Sequence, residues 1–202
     1  VALDTTGALV AGDQTTSVGG LPVSGGPDQT HNDIEDAFVG KVRPDGTGFA
    51  WLGYVGGASN DSIGGLAATS DGGVVIAGMT NSDESTFPVL TGPDLTFNTT
   101  VGKLNSDGYV AKVRSDGSAL EYCGYLGGDL VDSALDVAVD ASGVVVVAGI
   151  TASTETSFPV VGAFDSSSNG PLGVDTFVAA VSATGSTLLF SSFLGGSAND
   201  PA

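Results

Sequence analysis

Gly53-Tyr54-Val55-Gly56-Gly57-Ala58-Ser59-Asn60-Asp61 returns as Gly124-Tyr125-Leu126-Gly127-Gly128-Asp129-Leu130-Val131-Asp132, and again as Ser192-Phe193-Leu194-Gly195-Gly196-Ser197-Ala198-Asn199-Asp200. The first glycine of each pair, Gly56, Gly127 and Gly195, marks steps of 71 and 68 residues. A fixed period of this length is the mark of a repeat architecture, in which each unit buries its apolar faces against its neighbours. Three further landmarks keep the same order. Ala11-Gly12, Ala77-Gly78 and Ala148-Gly149 close an apolar run. Leu21-Pro22-Val23, Phe87-Pro88-Val89 and Phe158-Pro159-Val160 follow, and then the strand-like segments Asp36 to Val42, Asp107 to Val113 and Asp175 to Val181. The chain divides into one array of three units, about 1–61, 62–132 and 133–202.

Each unit reads as two β-hairpins. Ala134 to Val139, the turn Asp140-Ala141-Ser142-Gly143 and the run Val144 to Gly149 form one; Ile63 to Ala68, Thr69 to Gly73 and Val74 to Gly78 repeat it. The second hairpin turns at Arg43-Pro44-Asp45-Gly46, Arg114-Ser115-Asp116-Gly117 and Ser182-Ala183-Thr184-Gly185, where glycine supplies the positive φ of a tight turn. No stretch has helical periodicity with caps. Val144-Val145-Val146-Val147 is apolar on both faces, and such a strand must be covered on both sides. Tyr109 to Arg114 alternates and is expected nearer a wet rim. The pattern predicts an all-β, propeller-like array of about three four-stranded antiparallel blades. Three sheets around a three-fold axis, as in a β-prism, are the alternative.

These segments resemble the bacterial and archaeal beta-propeller repeat (SBBP) family. Its units carry an Asp-Ala-Phe-Val-Ala-Lys-like strand, an Asp-Gly turn and a Tyr-Leu-Gly-Gly segment ending in Asp. The resemblance covers nearly the whole chain. It implies a propeller in secreted or cell-surface proteins, and it carries no general catalytic residues. Three units are fewer than the usual four or more blades.

Charge narrows the partners. Twenty-three Asp and Glu face five Lys and Arg, for a formal net charge of −18. Nucleic acid is not expected as a partner, because phosphate contacts need clustered cations. Anionic membrane surfaces are disfavoured for the same reason. The longest apolar run, Val144 to Ile150, is too short to span a bilayer, so no membrane insertion is expected. The composition suits a salty or extracellular setting, and the resemblance implies an extracellular or cell-surface protein.

Candidate chemistry is sparse. His31 is the one histidine and Cys123 the one cysteine, so no zinc ligand set can be assembled and no cofactor is expected; weak calcium at a loop is compatible with this. Asn105-Ser106-Asp107-Gly108 has a faint calcium-loop character but lacks the alternating oxygen ligands and distal Glu. Asp36, Asp107 and Asp175 read as strand-entry aspartates bonded to nearby backbone, and Asp61, Asp132 and Asp200 read the same way. No catalytic residue is assigned and no enzyme activity is expected. Inward-facing carboxylates from different blades, one with a raised pKa, would instead be the mark of a glycosidase. Asn60-Asp61-Ser62 and Asn98-Thr99-Thr100 are sequons, making Asn60 and Asn98 candidate glycosylation sites. The long connections 13–35, 80–106 and 151–174 are expected to pack at the rim or mediate assembly.

The two ends complement each other. Val1-Ala2-Leu3-Asp4-Thr5-Thr6-Gly7 matches Val137 to Gly143, the second half of a first strand and its turn. Gly195 to Ala202 matches Gly127 to Ala134, which leads into that strand. Val1, Ala2 and Leu3 with Ser197, Ala198, Asn199, Asp200, Pro201 and Ala202 therefore form a candidate inter-subunit strand pairing. The expected function is a structural or assembly module, a filament or surface-layer subunit joined head to tail to copies of itself. The alternative is a carbohydrate- or protein-binding propeller segment of a longer cell-surface protein.

Overall fold

The computed structural model describes residues 1–32, 34–98, 105–169 and 173–196. Among them there is no helix, and hence none long and apolar enough to cross a membrane. The first sheet comprises β1 (Ala2–Leu3), β2 (Leu9–Thr15), β3 (Asp36–Val42) and β4 (Phe49–Val55). The second comprises β5 (Asp61–Ala68), β6 (Val74–Thr80), β7 (Asp107–Val113) and β8 (Leu120–Leu126). The third comprises β9 (Asp132–Val139), β10 (Val145–Thr151), β11 (Asp175–Val181) and β12 (Leu188–Leu194). Each is a four-stranded antiparallel meander in chain order. The turn glycines Gly7, Gly46, Gly72, Gly117, Gly143 and Gly185 have φ of 81°, 70°, 81°, 76°, 86° and 74°, the left-handed conformation that the hairpin reading requires.

Every sheet bulges at the same place. The β3–β4 register shifts between Lys41 and Val42, the β7–β8 register between Lys112 and Val113, and the β11–β12 register between Ala180 and Val181. One landmark of the repeat moves. Ala77 pairs with Val110 and Ala148 with Val178, but in the first sheet it is Gly12 that pairs with Val39. The Ala11-Gly12 dipeptide is thus one residue out of step with its counterparts. The turn sets the true register: Asp4, Thr69 and Asp140 each donate N–H to the carbonyl four residues on, in Ala8, Gly73 and Val144. Leu9, Val74 and Val145 are therefore equivalent, as are Val10, Val75 and Val146. A one-residue slip exchanges the two faces of a strand, so the correction decides which side chains meet which sheet.

The sheets pack in succession. Val10, Val39, Trp51 and Val55 from the first pack on Val74, Ile76, Tyr109 and Ala111 from the second. The other face of the second sheet, with Val75, Ala77, Val110, Tyr122 and Leu126, packs on Val137, Val145, Val147, Phe177 and Phe193 of the third. β7 is buried along its whole length, contrary to the rim position its alternation suggested. Its polar member, Lys112, is satisfied in place by Asp71 at 2.6 Å and Glu121 at 2.9 Å. The first strands of the second and third sheets meet backbone to backbone: a Cβ on Gly64 would lie 2.4 Å from the Ala134 carbonyl oxygen.

The long connections run along the outer strands. Leu52 exchanges backbone hydrogen bonds with Ser24, and Tyr54 N donates to the Asp28 carbonyl. Cys123 N donates to Thr91, Tyr125 N to Asp94, and Ser191 exchanges bonds with Val161. Each loop covers the edge that β4, β8 or β12 would otherwise leave open. Phe87 meets Tyr109 edge-on and stacks on Tyr125, and Phe158 packs at a tilt against Phe177 and Phe193, so the Phe-Pro-Val motif anchors the loop to its sheet.

Candidate functional site

The polar groups of the repeat converge where one sheet hands the chain to the next. Asp36 at the start of β3 and Asp61 at the start of β5 flank Gly56: a Cβ there would stand 2.7 Å from Asp36 Oδ1 and 2.9 Å from Asp61 Oδ2. Asp107 and Asp132 flank Gly127 at 2.9 and 3.0 Å in the same way. The second glycine of each pair presses on a serine, Gly57 on Ser82 and Gly128 on Ser153. Both glycines are needed because a side chain at either would strike the carboxyl pair or that serine.

Hydrogen bonds complete each junction. Asp61 accepts from Gly57 N at 2.7 Å, Ser82 Oγ at 3.0 Å and the Thr80 hydroxyl. Asp132 accepts from Gly128 N at 2.7 Å and Ser153 Oγ at 2.8 Å. Asp36, Asp107 and Asp175 accept from the backbone N–H of Asn32, Asn98 and Asn169, at 2.7, 3.0 and 2.9 Å. Each Asn donates its side-chain amide to a loop aspartate four residues earlier: Asp28, Asp94 or Asp165. This Asp-x-x-x-Asn clasp recurs in all three loops. Its equal spacing after the Pro-Val motif makes it a fifth landmark of the repeat, one legible in the sequence beside the other four.

Burial tunes the acids. Desolvation pushes Asp61 up to about 6 and Asp107 up to about 8, partly offset by the bonds they accept, and it raises Asp132 as well. Oδ1 of Asp107 receives no hydrogen bond from the described residues, and the Asp132 carboxylate adds to the rise. Paired carboxyls on different sheets with raised pKa are the arrangement named above for a glycosidase. Here Asp36, Asp61, Asp107 and Asp132 are all 0 % exposed. All four are enclosed at the junctions, where their geometry ties consecutive sheets together.

The other candidates lie apart. His31 rests edge-on to Tyr54, 5.5 Å between ring centres, and its Nε2–H donates to the Thr15 carbonyl at 3.0 Å. His31, Asp28 and Asn32, with Gly57, Ala58 and Thr86, line a cleft of about 430 Å³ at the junction of the first two sheets. Cys123 is buried, and burial raises its thiol well above the ordinary range. Asn60 is exposed, whereas the Asn98 amide is engaged in its loop clasp. Among the described residues no three His, Cys, Asp or Glu side chains cluster as metal ligands would. Val1 and Leu3 are exposed; Ser197 to Ala202 lie outside the described residues. No family model matches the chain, and no curated protein is similar to it in sequence.

Proposed function

We propose that this chain is a non-enzymatic extracellular structural module of the beta-propeller repeat type, and that it assembles head to tail with copies of itself by strand complementation. The observation that carries this reading is how little of β2 the described β1 pairs. β6 and β10 are each paired along seven residues by β5 and β9. β1 pairs with β2 only at Leu9 and Val10, so Ala11 to Thr15 have no described strand on that side. An open run of backbone donors and acceptors recruits a strand. Residues 197–202 match the segment that leads into β9, and they are the proposed donor. Successive face-to-face packing with first strands in contact favours propeller blades over a prism. A head-to-tail contact that does not close builds a filament or layer.

Deleting Ser197 to Ala202 tests this. The intact chain is expected to sediment as assemblies and the truncated chain as a monomer. Equal assembly of the two, or a strictly monomeric intact chain, overturns the reading. A second reading, a carbohydrate- or protein-binding segment, rests on the 430 Å³ cleft. Calorimetric titration with soluble oligosaccharides, giving heat that Asn32→Ala abolishes, would favour it.

A further inference from the structure

The first and third sheets each leave bare one half of a contact that the molecule makes twice within itself. Val10 and Val75 occupy the same position in sheets one and two, each facing the following sheet, and both are 0 % exposed. Their counterpart in the third sheet, Val146, is 41 % exposed. On the opposite faces, Val74 and Val145 are 0 % exposed against the preceding sheet, while their counterpart Leu9 is 39 % exposed. The bare face of sheet three is thus of the kind that receives sheet two or sheet three, and the bare face of sheet one is of the kind that packs behind it.

A specific fitting repeats as well. Trp51 lies over the outer turn of the second sheet: a Cβ on Gly117 would come within 2.4 Å of Trp51 Cγ, and the indole N–H donates to Ser115 O at 3.1 Å. Tyr122 lies over the outer turn of the third sheet, 2.2 Å from where a Gly185 Cβ would stand. The register places Phe190 where Trp51 and Tyr122 stand, opposite Ala180 as they stand opposite Lys41 and Lys112. The equivalent outer turn in the first sheet holds Gly46, also at positive φ, with nothing within 4 Å of its Cβ position. One end offers the aromatic and the other offers the unoccupied glycine turn.

We infer that the free face of the third sheet stacks on the free face of the first sheet of a second copy of this chain, with Phe190 over Gly46 of that copy. The contact continues the two internal interfaces in kind, which is why the occupant is a second copy. It is head-to-tail, since the two halves differ. This inference rests on the self-assembly reading and names its second surface, distinct from the strand edge.

The test uses the 202-residue chain with Val146→Glu, Leu9→Glu, and Val18→Glu as a loop control, followed by analytical ultracentrifugation. Each of the first two variants alone is expected to be monomeric, because each retains only one competent face; Val18→Glu should assemble as the wild type does. Mixing Val146→Glu with Leu9→Glu should restore a discrete 1:1 dimer, which also proves that both variants are folded. Assembly of either face variant alone, or a mixture that stays monomeric, overturns the inference. If the face variants assemble while deletion of Ser197 to Ala202 abolishes assembly, the face contact falls and strand complementation stands. The reverse result keeps the face contact and removes strand donation. A monomeric wild type at high concentration removes both.

Discussion

The middle sheet and the two sheets beside it carry the same apolar pattern and meet different fates. Val74, Val75, Ile76 and Ala77 of β6 are all 0 % exposed, because a sheet covers each face. In β10, Val145 and Val147 are buried and Val146 is not, because only one face is covered. Strand composition states how much cover a strand requires, and its neighbours decide how much it receives. The sharpest way to break this comparison is to place the same charge at equivalent positions. Val75→Glu puts an unpaired carboxylate between two sheets and is expected to cost about 4 kcal/mol or more, enough to threaten the fold. Val146→Glu in the monomer should stay within about 0.5 kcal/mol. Thermal or urea unfolding reads both, and equal losses would contradict the assigned faces.

The turn glycines sharpen the comparison at smaller scale. Gly117 and Gly46 share a left-handed conformation, so Ala at either carries the same backbone penalty, about 1 kcal/mol. Only Gly117→Ala also displaces Trp51. In monomeric protein Gly117→Ala should be the more destabilising by about 1–3 kcal/mol, the scale of an overpacked contact. Equal effects in urea unfolding would show that Trp51 yields without loss.

The buried acids separate the junctions by pH. Asp61 and Asp107 have folded pKa values raised to about 6 and about 8 from 3.8, so the fold favours their protonated forms. Their contribution is fully present below about pH 4 and is lost as pH rises, through about 6 for Asp61 and about 8 for Asp107. Asp107→Asn keeps an acceptor for Asn98 N–H and cannot ionise. It should flatten the pH profile and stabilise the protein at pH 8 by about 1–2 kcal/mol relative to wild type, with no gain at pH 4. Melting curves at the two pH values check this; a variant equally destabilised at both would assign Asp107 a purely geometric role. Asp4 and Asp71 act in the opposite sense. Hydrogen bonds from Lys41 and Lys112 lower their pKa, so their contribution is lost on acidification below the ordinary carboxylate range.

Much of the fold was legible because local chemistry determines it. Turns with Gly at positive φ, the alternation between hairpins and the Gly-Gly period are all properties of short segments. The three four-stranded sheets follow from them. What was not legible depends on partners distant in sequence. The Ala11-Gly12 dipeptide matches its counterparts as text, yet the five-residue step from Gly7 to Gly12, against six from Gly72 to Gly78, shifts its pairing. β7 looked half-wet because Lys112 alternates with apolar residues, and its salt-bridge partners lie elsewhere, Asp71 in the β5–β6 turn and Glu121 on β8. The aspartates after Gly-Gly looked like isolated backbone anchors. Their pairing across sheets, with Asp36 against Asp61 and Asp107 against Asp132, arises only when one sheet passes the chain to the next.

The smallest expected effect is electrostatic. A net charge of −18 on each copy opposes their approach, so raising salt from about 0.05 to about 0.5 M should strengthen self-association several-fold by screening. Sedimentation at the two ionic strengths reads it. Weaker association in high salt would point to ion pairs across the contact in place of apolar stacking.

Side-chain footprinting by brief radical oxidation, read by mass spectrometry in dilute and concentrated protein, tests the central claim most directly. Leu9 and Phe190 are expected to be labelled when dilute and protected when concentrated. Val18, 80 % exposed on a loop, should be labelled equally in both, and Val74 and Val75 in neither. Leu9 and Phe190 labelled to the same extent at both concentrations would contradict the assignment of these faces as two halves of one interface.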